Sequence, residues 1–250
     1  MPSMPDALIL CGGAGVRLRS VTGGAPKAMA EVGGRPFLEL LLRQLRRHGF
    51  ERAILAIGYQ GEAIRSRFSS RTCDLDLVYS AESSPLGTGG ALRHAAGLVE
   101  SDVVLIMNGD SYTPADLSKL VAEHRESKAD ATVVVVPADG RHDCGTVLLD
   151  GNGKVEGFEE KQHRFRPQYI NAGIYLVSAR ILFDVPPDLP TSLEKDLLPR
   201  WLEEARNVGA FICDEECIDI GTPERYRNAQ HVLGSAEDEE TGRDARAIFA

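Results

Sequence analysis

Long apolar runs are missing from this sequence. No stretch approaches the roughly 18 to 20 apolar residues that cross a bilayer, and the N-terminus lacks the basic-then-apolar layout of a signal peptide. The expectation is a cytoplasmic chain that meets no membrane. Positive charge is also short: 28 basic against 37 acidic residues leave a net charge of -9. That balance disfavours broad contact with a nucleic-acid backbone or an anionic lipid surface. Any phosphate must then be held by a few placed cations and backbone donors. Cysteine pairing is absent too. The five cysteines, Cys11, Cys73, Cys144, Cys213 and Cys217, are odd in number and contain no C-x-x-C, which excludes neither thiol chemistry nor burial but argues against a disulfide framework or a zinc knuckle. There is no internal repeat and no linker long enough to separate independent domains.

What remains is 250 residues, enough for one large core without disulfides or a structural metal. Apolar runs of strand length, Ala7–Cys11, Arg52–Ile57, Leu75–Tyr79, Val103–Met107 and Ala131–Val136, alternate with segments of helical period. The clearest helix has Pro36 in its first turn, places Phe37, Leu40, Leu41 and Leu45 on one face, and stops at Gly49. The pattern predicts an α/β fold: a doubly wound, mainly parallel sheet covered by helices on both faces. In such sheets ligands sit beyond the carboxyl ends of the strands, which singles out the loops Gly12–Arg19, Ser80–Gly90 and Asn108–Tyr112.

From about residue 140 to 178 shorter extended pieces predict a hairpin-rich lobe, with a turn at Asp150-Gly151-Asn152-Gly153. A helix from Leu193, a strand near Val208–Ile212 and a helix Pro223–Leu233 follow. The expected organisation is a single unit over 1–233 and an acidic, flexible tail over 234–250.

Three glycines follow the first strand, in Gly12-Gly13-Ala14-Gly15-Val16-Arg17-Leu18, a turn that lets backbone N–H groups approach an anion. It lacks the Gly-Lys-Ser/Thr ending of a P-loop and the spacing of the dinucleotide fingerprint. The next polar segment is Pro26-Lys27-Ala28-Met29. Taken together, LILCGGAGVRLRSVTGGAPKAMAEVGGRPFLE resembles the signature segment of the sugar-phosphate nucleotidyltransferase family. The resemblance recurs in order through PLGTGGAL, NGD, FEEK, NAGIY and IDIGTPERY, spanning roughly residues 7 to 233. It implies a Rossmann-like sheet with a sugar-binding lobe, and transfer of a nucleoside monophosphate to a sugar 1-phosphate with release of pyrophosphate.

The chemistry fits these residues. A sugar 1-phosphate is already an anionic nucleophile, so attack on an α-phosphorus needs positioning and charge cancellation rather than a general base. Arg17 and Lys27 put positive charge beside the glycine loop; the resemblance implies that Arg17 faces the leaving pyrophosphate and Lys27 bridges the reacting phosphates. Asp110 closes an apolar strand, where a carboxylate can hold a metal on the triphosphate or merely form a turn. Asp219 matches the family's second metal position, and the implied cofactor is Mg2+. Lys161 matches a sugar-phosphate-binding lysine and Glu160 a sugar-hydroxyl acceptor, although an exposed charged patch remains open; Asn108, Gly145 and Asn171 complete the implied sugar-phosphate side. Leu10, Gly12, Gly13, Gly15, Glu82, Pro85, Gly87 and Thr88 form the implied nucleotide side. Val16 and Gln162 depart from the threonine and proline that many relatives carry there.

Glu82 stands where relatives read the base. A carboxylate only accepts, and guanine alone among the common bases offers adjacent N1–H and N2–H donors, so GTP is the favoured triphosphate. Glu82 binding ribose or capping a helix stays open. FEEK, YINAGIYLV, SLEKDLLP and FICDEECIDIGTPERYRNAQ look most like the D-glycero-D-manno-heptose 1-phosphate guanylyltransferase branch, which implies nucleotide-sugar biosynthesis for cell-surface polysaccharide. A uridylyltransferase acting on an amino-sugar 1-phosphate, a mannose-1-phosphate guanylyltransferase and a non-catalytic nucleotide-sugar-binding subunit are the alternatives. Relatives often assemble, so the resemblance also brings the expectation of a homo-oligomer.

Overall fold

The computed structural model describes residues 3–13, 15–138, 145–160 and 168–234. At its centre lies the strand Asp6–Leu10, whose successive side chains face opposite ways. Ala7 and Ile9 join one apolar cluster and Leu8 the other. Parallel strands flank it, Arg52–Ile57 with Ala7 opposite Ala53, and Val103–Asn108 with Ala7 opposite Leu105. Leu75–Ala81 extends the parallel run beyond Arg52–Ile57. These strands are apolar at nearly every position because both faces of the sheet are covered.

On one face the helix Phe37–Arg47 buries Phe37, Leu38, Leu41 and Leu45. Its apolar side is wider than the sequence stripe predicts: Leu42 and Gln44 are buried as well. Gln44 is tolerated there because its amide donates to the Thr113 carbonyl at 2.6 Å. The helix Gly87–Ala95 covers the opposite face through Leu92 and Ala95, beside Trp201. Among the described residues no helix is long and apolar enough to cross a membrane, and Cys11, Cys73, Cys213 and Cys217 are free thiols.

The second half of the chain joins the same sheet. Tyr169–Ser178 runs antiparallel to Val103–Asn108, with Tyr175 opposite Ile106, and also pairs with Ala131–Pro137, which is parallel to Val208–Ile212. Its first residues pair with Gly145–Leu149, one arm of a hairpin completed by Val155–Glu160. Among the described residues the sheet therefore has ten strands, and the hairpin expected after residue 140 grows out of it. The register shift in Tyr169–Ser178 lies between Asn171 and Tyr175, around Gly173 at φ +74°. A Cβ at Gly173 would lie 2.8 Å from Ser111 Oγ and 2.9 Å from Asn108 Nδ2, so only glycine lets this strand pass so close to the loop that follows Val103–Asn108. A helix over 223–234 ends the described chain; the acidic stretch 235–250 and Cys144 lie outside the described residues.

Candidate active site

The carboxyl ends of the parallel strands open onto one cavity of about 570 Å³. Leu10, Gly12, Gly13, Glu82, Pro85, Gly87 and Thr88, all expected on the nucleotide side, line it together with Asn108 and Asp110. Gly58 and Tyr59 also line it, although no motif in the sequence singles them out. A signal does exist: they directly follow the parallel strand Arg52–Ile57, just as the other cavity loops follow theirs.

The glycine turn is built on backbone freedom and close packing. Gly15 adopts a left-handed conformation, φ 55°, just before the short helical turn Val16–Leu18, and a Cβ there would press on Lys27 Cβ at 3.2 Å. The loop thus lies directly against the Lys27 segment. Arg17 and Val16 are exposed, and Arg17 makes no ion pair among the described residues, leaving its charge available to an incoming anion. Arg19 lies over the Tyr59 ring at 5.4 Å, tying the loop to the opposite wall. Cys11, at the strand end, is buried; burial first, and Asp110 second, push its thiol pKa up, which favours the neutral thiol.

Glu82 follows the strand Leu75–Ala81 and sits against two glycines. A Cβ on Gly58 would lie 2.5 Å from Glu82 Oε1, and one on Gly12 2.9 Å from the same atom. Its other oxygen accepts from the Leu86 amide at 3.3 Å. Burial raises the Glu82 pKa above its ordinary value, with the Leu86 hydrogen bond and His94 pulling the other way.

Four charged side chains cluster beside the cavity. Lys27 opens the short helical turn Lys27–Met29 and its ammonium contacts the Asp110 carboxylate. Asp110 follows Val103–Asn108, on a turn pinned to the first strand where Gly109 N donates to Leu10 O at 3.0 Å. A short antiparallel pair, Ser111–Tyr112 with Ile218–Asp219, then brings Asp219 alongside, and Ile220 N donates to Asp110 O at 3.0 Å. Asp219 Oδ1 accepts from Gly221 N at 2.7 Å and Oδ2 from Arg225 Nη1 at 2.9 Å. A point at the Cβ position of Gly221 lies 3.7 Å from Lys27 Nζ and 3.9 Å from Arg225 Nη1, so both cations face one small space. Arg225 was not singled out from the sequence, although it lies inside IDIGTPERY.

On the far side of Thr88 lies a second polar network. The Thr88 hydroxyl donates to Glu194 Oε2, Ser192 Oγ donates to the same oxygen at 3.1 Å, and Tyr175 OH donates to Glu194 Oε1 at 3.3 Å. Asn171 Nδ2 donates to Tyr175 OH at 2.5 Å, while its Oδ1 accepts from Gly173 N. In the sequence Tyr175 and Glu194 appear only within longer motifs, because nothing local marks their convergence. Among the described residues Asn108 Oδ1 is buried without a partner, an acceptor that a ligand hydroxyl can satisfy. Gly145 lies directly opposite Glu160 in the hairpin, which puts both at the open end of that strand pair. The Glu160 side chain and Lys161 lie outside the described residues.

Among the described residues no group of three or more His, Cys, Asp or Glu could cage a metal. A pair of carboxylates that borrows phosphate oxygens and waters suits Mg2+, which keeps several waters and seldom uses an all-protein cage. The donor set of Asp110 and Asp219 fits that description. With exposed and half-buried cations around it, the site can gather two anionic groups; no group placed as a general base is needed.

A family model described as nucleotidyl transferase matches residues 6–235. The D-glycero-alpha-D-manno-heptose 1-phosphate guanylyltransferase of Aneurinibacillus thermoaerophilus is 36% identical over 228 residues, 91% of this chain and 98% of that protein. A mannose-1-phosphate guanylyltransferase of Mycobacterium tuberculosis is 33% identical over 93% of this chain and 64% of its own length. Among solved structures, HddC from Yersinia pseudotuberculosis complexed with GMP-PN superposes with a TM-score of 0.81 at 33% identity, covering 92% of this chain and all of that one.

Proposed function

This chain belongs to the nucleotidyl transferase family and is a sugar-1-phosphate nucleotidyltransferase, and we propose that it moves GMP from GTP to D-glycero-D-manno-heptose 1-phosphate. A phosphate oxygen of the sugar attacks the α-phosphorus, the bond from that phosphorus to the β-phosphate bridge breaks, and pyrophosphate leaves with the electron pair. Mg2+, held by Asp110 and Asp219, would supply charge neutralisation on the triphosphate.

The chain's own groups do the rest. Backbone N–H groups of the Gly12–Gly15 turn cradle the triphosphate, exposed Arg17 meets the departing pyrophosphate, and Lys27 cancels charge between the two anions it stands beside. Glu160, Lys161, Asn108, Gly145 and Asn171 take the sugar phosphate. These roles rest on residue type, position and motif.

One observation carries the base assignment. A carboxylate, Glu82, sits at the cavity wall with its Oε1 against the bare backbones of Gly12 and Gly58, where it can accept from neighbouring N–H donors. Guanine offers two such donors side by side. The heptose rests on the relatives' names and the length match with them. Incubating the protein with each of five triphosphates against heptose, mannose and glucosamine 1-phosphates, with Mg2+, tests both halves of the proposal by pyrophosphate release. GTP with the heptose phosphate is expected to be fastest; equal rates with UTP or ATP defeat the guanine reading, and faster mannose turnover moves the sugar alone.

A further inference from the structure

The four charged groups near Gly221 form two ion pairs, and each pair occupies one oxygen of a proposed metal-ligating carboxylate. Lys27 meets Asp110 Oδ2, and Arg225 meets Asp219 Oδ2 while the Gly221 amide holds Asp219 Oδ1. The formal charge of the four side chains sums to zero. A dication approaching such a group gains little, because each carboxylate's attraction is offset by a cation a few ångströms away. A bound triphosphate, by contrast, adds several negative charges to the same space.

The Arg225 arrangement is built rather than incidental. Arg225 lies in the first turn of the 223–234 helix, where its backbone N donates to Thr222 Oγ1 at 3.3 Å. Gly221 clears the room that Asp219 needs: a Cβ there would lie 2.7 Å from Asp219 Oδ1. The side chains of Arg225 and Asp219 are only 27% and 19% exposed, so solvent screens their pairing only in part.

We propose that Arg225 is a positioning and charge-balancing residue that orients Asp219 and keeps the two-carboxylate site weak for a divalent cation until the triphosphate is bound. This rests on the assignment of Asp110 and Asp219 to the metal. Metal and nucleotide then load together, and the empty enzyme does not hold a cation that would pair with its own catalytic lysine's partner.

The test is an electron paramagnetic resonance titration of the full-length protein with Mn2+ and no nucleotide. Arg225→Gln keeps an N–H donor but removes the charge, and Arg225→Met removes both; each is expected to tighten Mn2+ binding at least about fivefold, while Arg225→Lys stays within about twofold of the parent. Adding Asp219→Asn to Arg225→Gln is expected to abolish the gain. Thermal melts identify any variant that fails to fold, and Arg225→Gln alone then decides. Neutral variants that bind Mn2+ no more tightly than the parent overturn the charge-balancing role. A gain that survives Asp219→Asn instead overturns the metal assignment, and the proposal falls with it.

Discussion

The Thr88 hydroxyl donates to Glu194 Oε2 at 2.9 Å and accepts from the Leu193 amide at 2.7 Å, joining residues more than a hundred positions apart. Gly89 N strengthens the junction by donating to Thr191 O at 2.7 Å. The wall of the nucleotide cavity and the network reaching Asn171 are therefore one hydrogen-bonded unit. Replacing Thr88 with Val orphans the Leu193 amide and removes a donor from Glu194, a loss of about 1–3 kcal/mol. Thr88→Ser keeps both bonds. The expected signature is a KM for sugar 1-phosphate that rises more than the KM for triphosphate in Thr88→Val, with Thr88→Ser close to the parent. Initial rates with each substrate varied would show it; equal rises in both KM values would remove the link between the two sides.

Gly58 gives the seat of Glu82 its shape. An added methyl at Gly58 would stand 2.5 Å from Oε1, closer than real side-chain carbons come, so the carboxylate must move. Gly58→Ala is expected to raise the KM for GTP about tenfold, the equivalent of about 1.4 kcal/mol, with kcat changed far less. The same variant should lose most of the preference for GTP over ITP, which lacks the 2-amino group. An undiminished preference would mean that Glu82 does not read that edge.

Acid should act through the same carboxylate. Burial raises the Glu82 pKa above its ordinary 4.5, so the group takes up its proton at a higher pH than an exposed glutamate does. Only the ionised form accepts from both guanine donors. The KM for GTP is therefore expected to rise as pH falls, beginning above the range in which exposed carboxylates titrate. Folding runs the other way at this group: the charged form is the disfavoured one in the fold, so its protonation relieves a cost rather than weakening the structure. A pH profile of KM, set beside that of Glu82→Gln, checks this; parallel profiles would show that another group controls binding.

Lys27 is expected to matter for rate far more than for folding. Its side chain is 15% exposed, and the ammonium faces the space shared with Asp219 and Arg225. Loss of a single preorganised donor that stabilises developing transition-state charge typically costs about 10²–10³ in kcat. Lys27→Ala should fall in that range while its melting temperature stays within a few degrees of the parent. Single-turnover measurement of pyrophosphate release separates chemistry from product release, and a nearly normal rate would take Lys27 out of the mechanism.

The regions of the site that sequence made legible are those fixed by strand ends. The loops that hold Glu82 and Asp110 begin where apolar runs of strand length stop, so run length and the carboxyl-end rule locate both loops, while the choice of Glu82 within its loop rests on the resemblance. Asp219 came from motif alone, since the pairing of Ile218–Asp219 with Ser111–Tyr112 is too short to leave a periodic signal. Glu194, Tyr175 and Arg225 were beyond local reading because their roles arise from contacts across the fold: Tyr175 on a strand paired on both sides reaches Glu194, and Arg225 reaches Asp219 around a glycine. The joining of both halves into ten strands was hidden for a related reason. Tyr169–Ser178 changes partners at Gly173, and a glycine within an apolar run reads as a weak point rather than as a branch.

The closing helix supplies the last expectation. Tyr226 OH donates to the Glu31 carbonyl at 2.6 Å, Gln230 Nε2 donates to the same oxygen at 2.5 Å, and Gln230 Oε1 accepts from Gly33 N at 3.3 Å. Glu31–Val32 and Arg35–Pro36 form the small hairpin just after the Lys27 turn, so the helix that carries Arg225 also grips the segment that carries Lys27. Gln230→Ala removes two of these bonds at an exposed edge, which should cost about 0.5–1.5 kcal/mol each at most. Mobility, rather than unfolding, is the expected consequence, because the strands beneath remain buried. Gln230→Ala combined with Tyr226→Phe is accordingly predicted to lower kcat severalfold and to speed amide hydrogen exchange at 27–34, while exchange in Asp6–Leu10 and Val103–Asn108 is unchanged. Faster exchange throughout the sheet would make the helix a general stabiliser; unchanged exchange at 27–34 would leave the Lys27 turn held by the glycine loop alone.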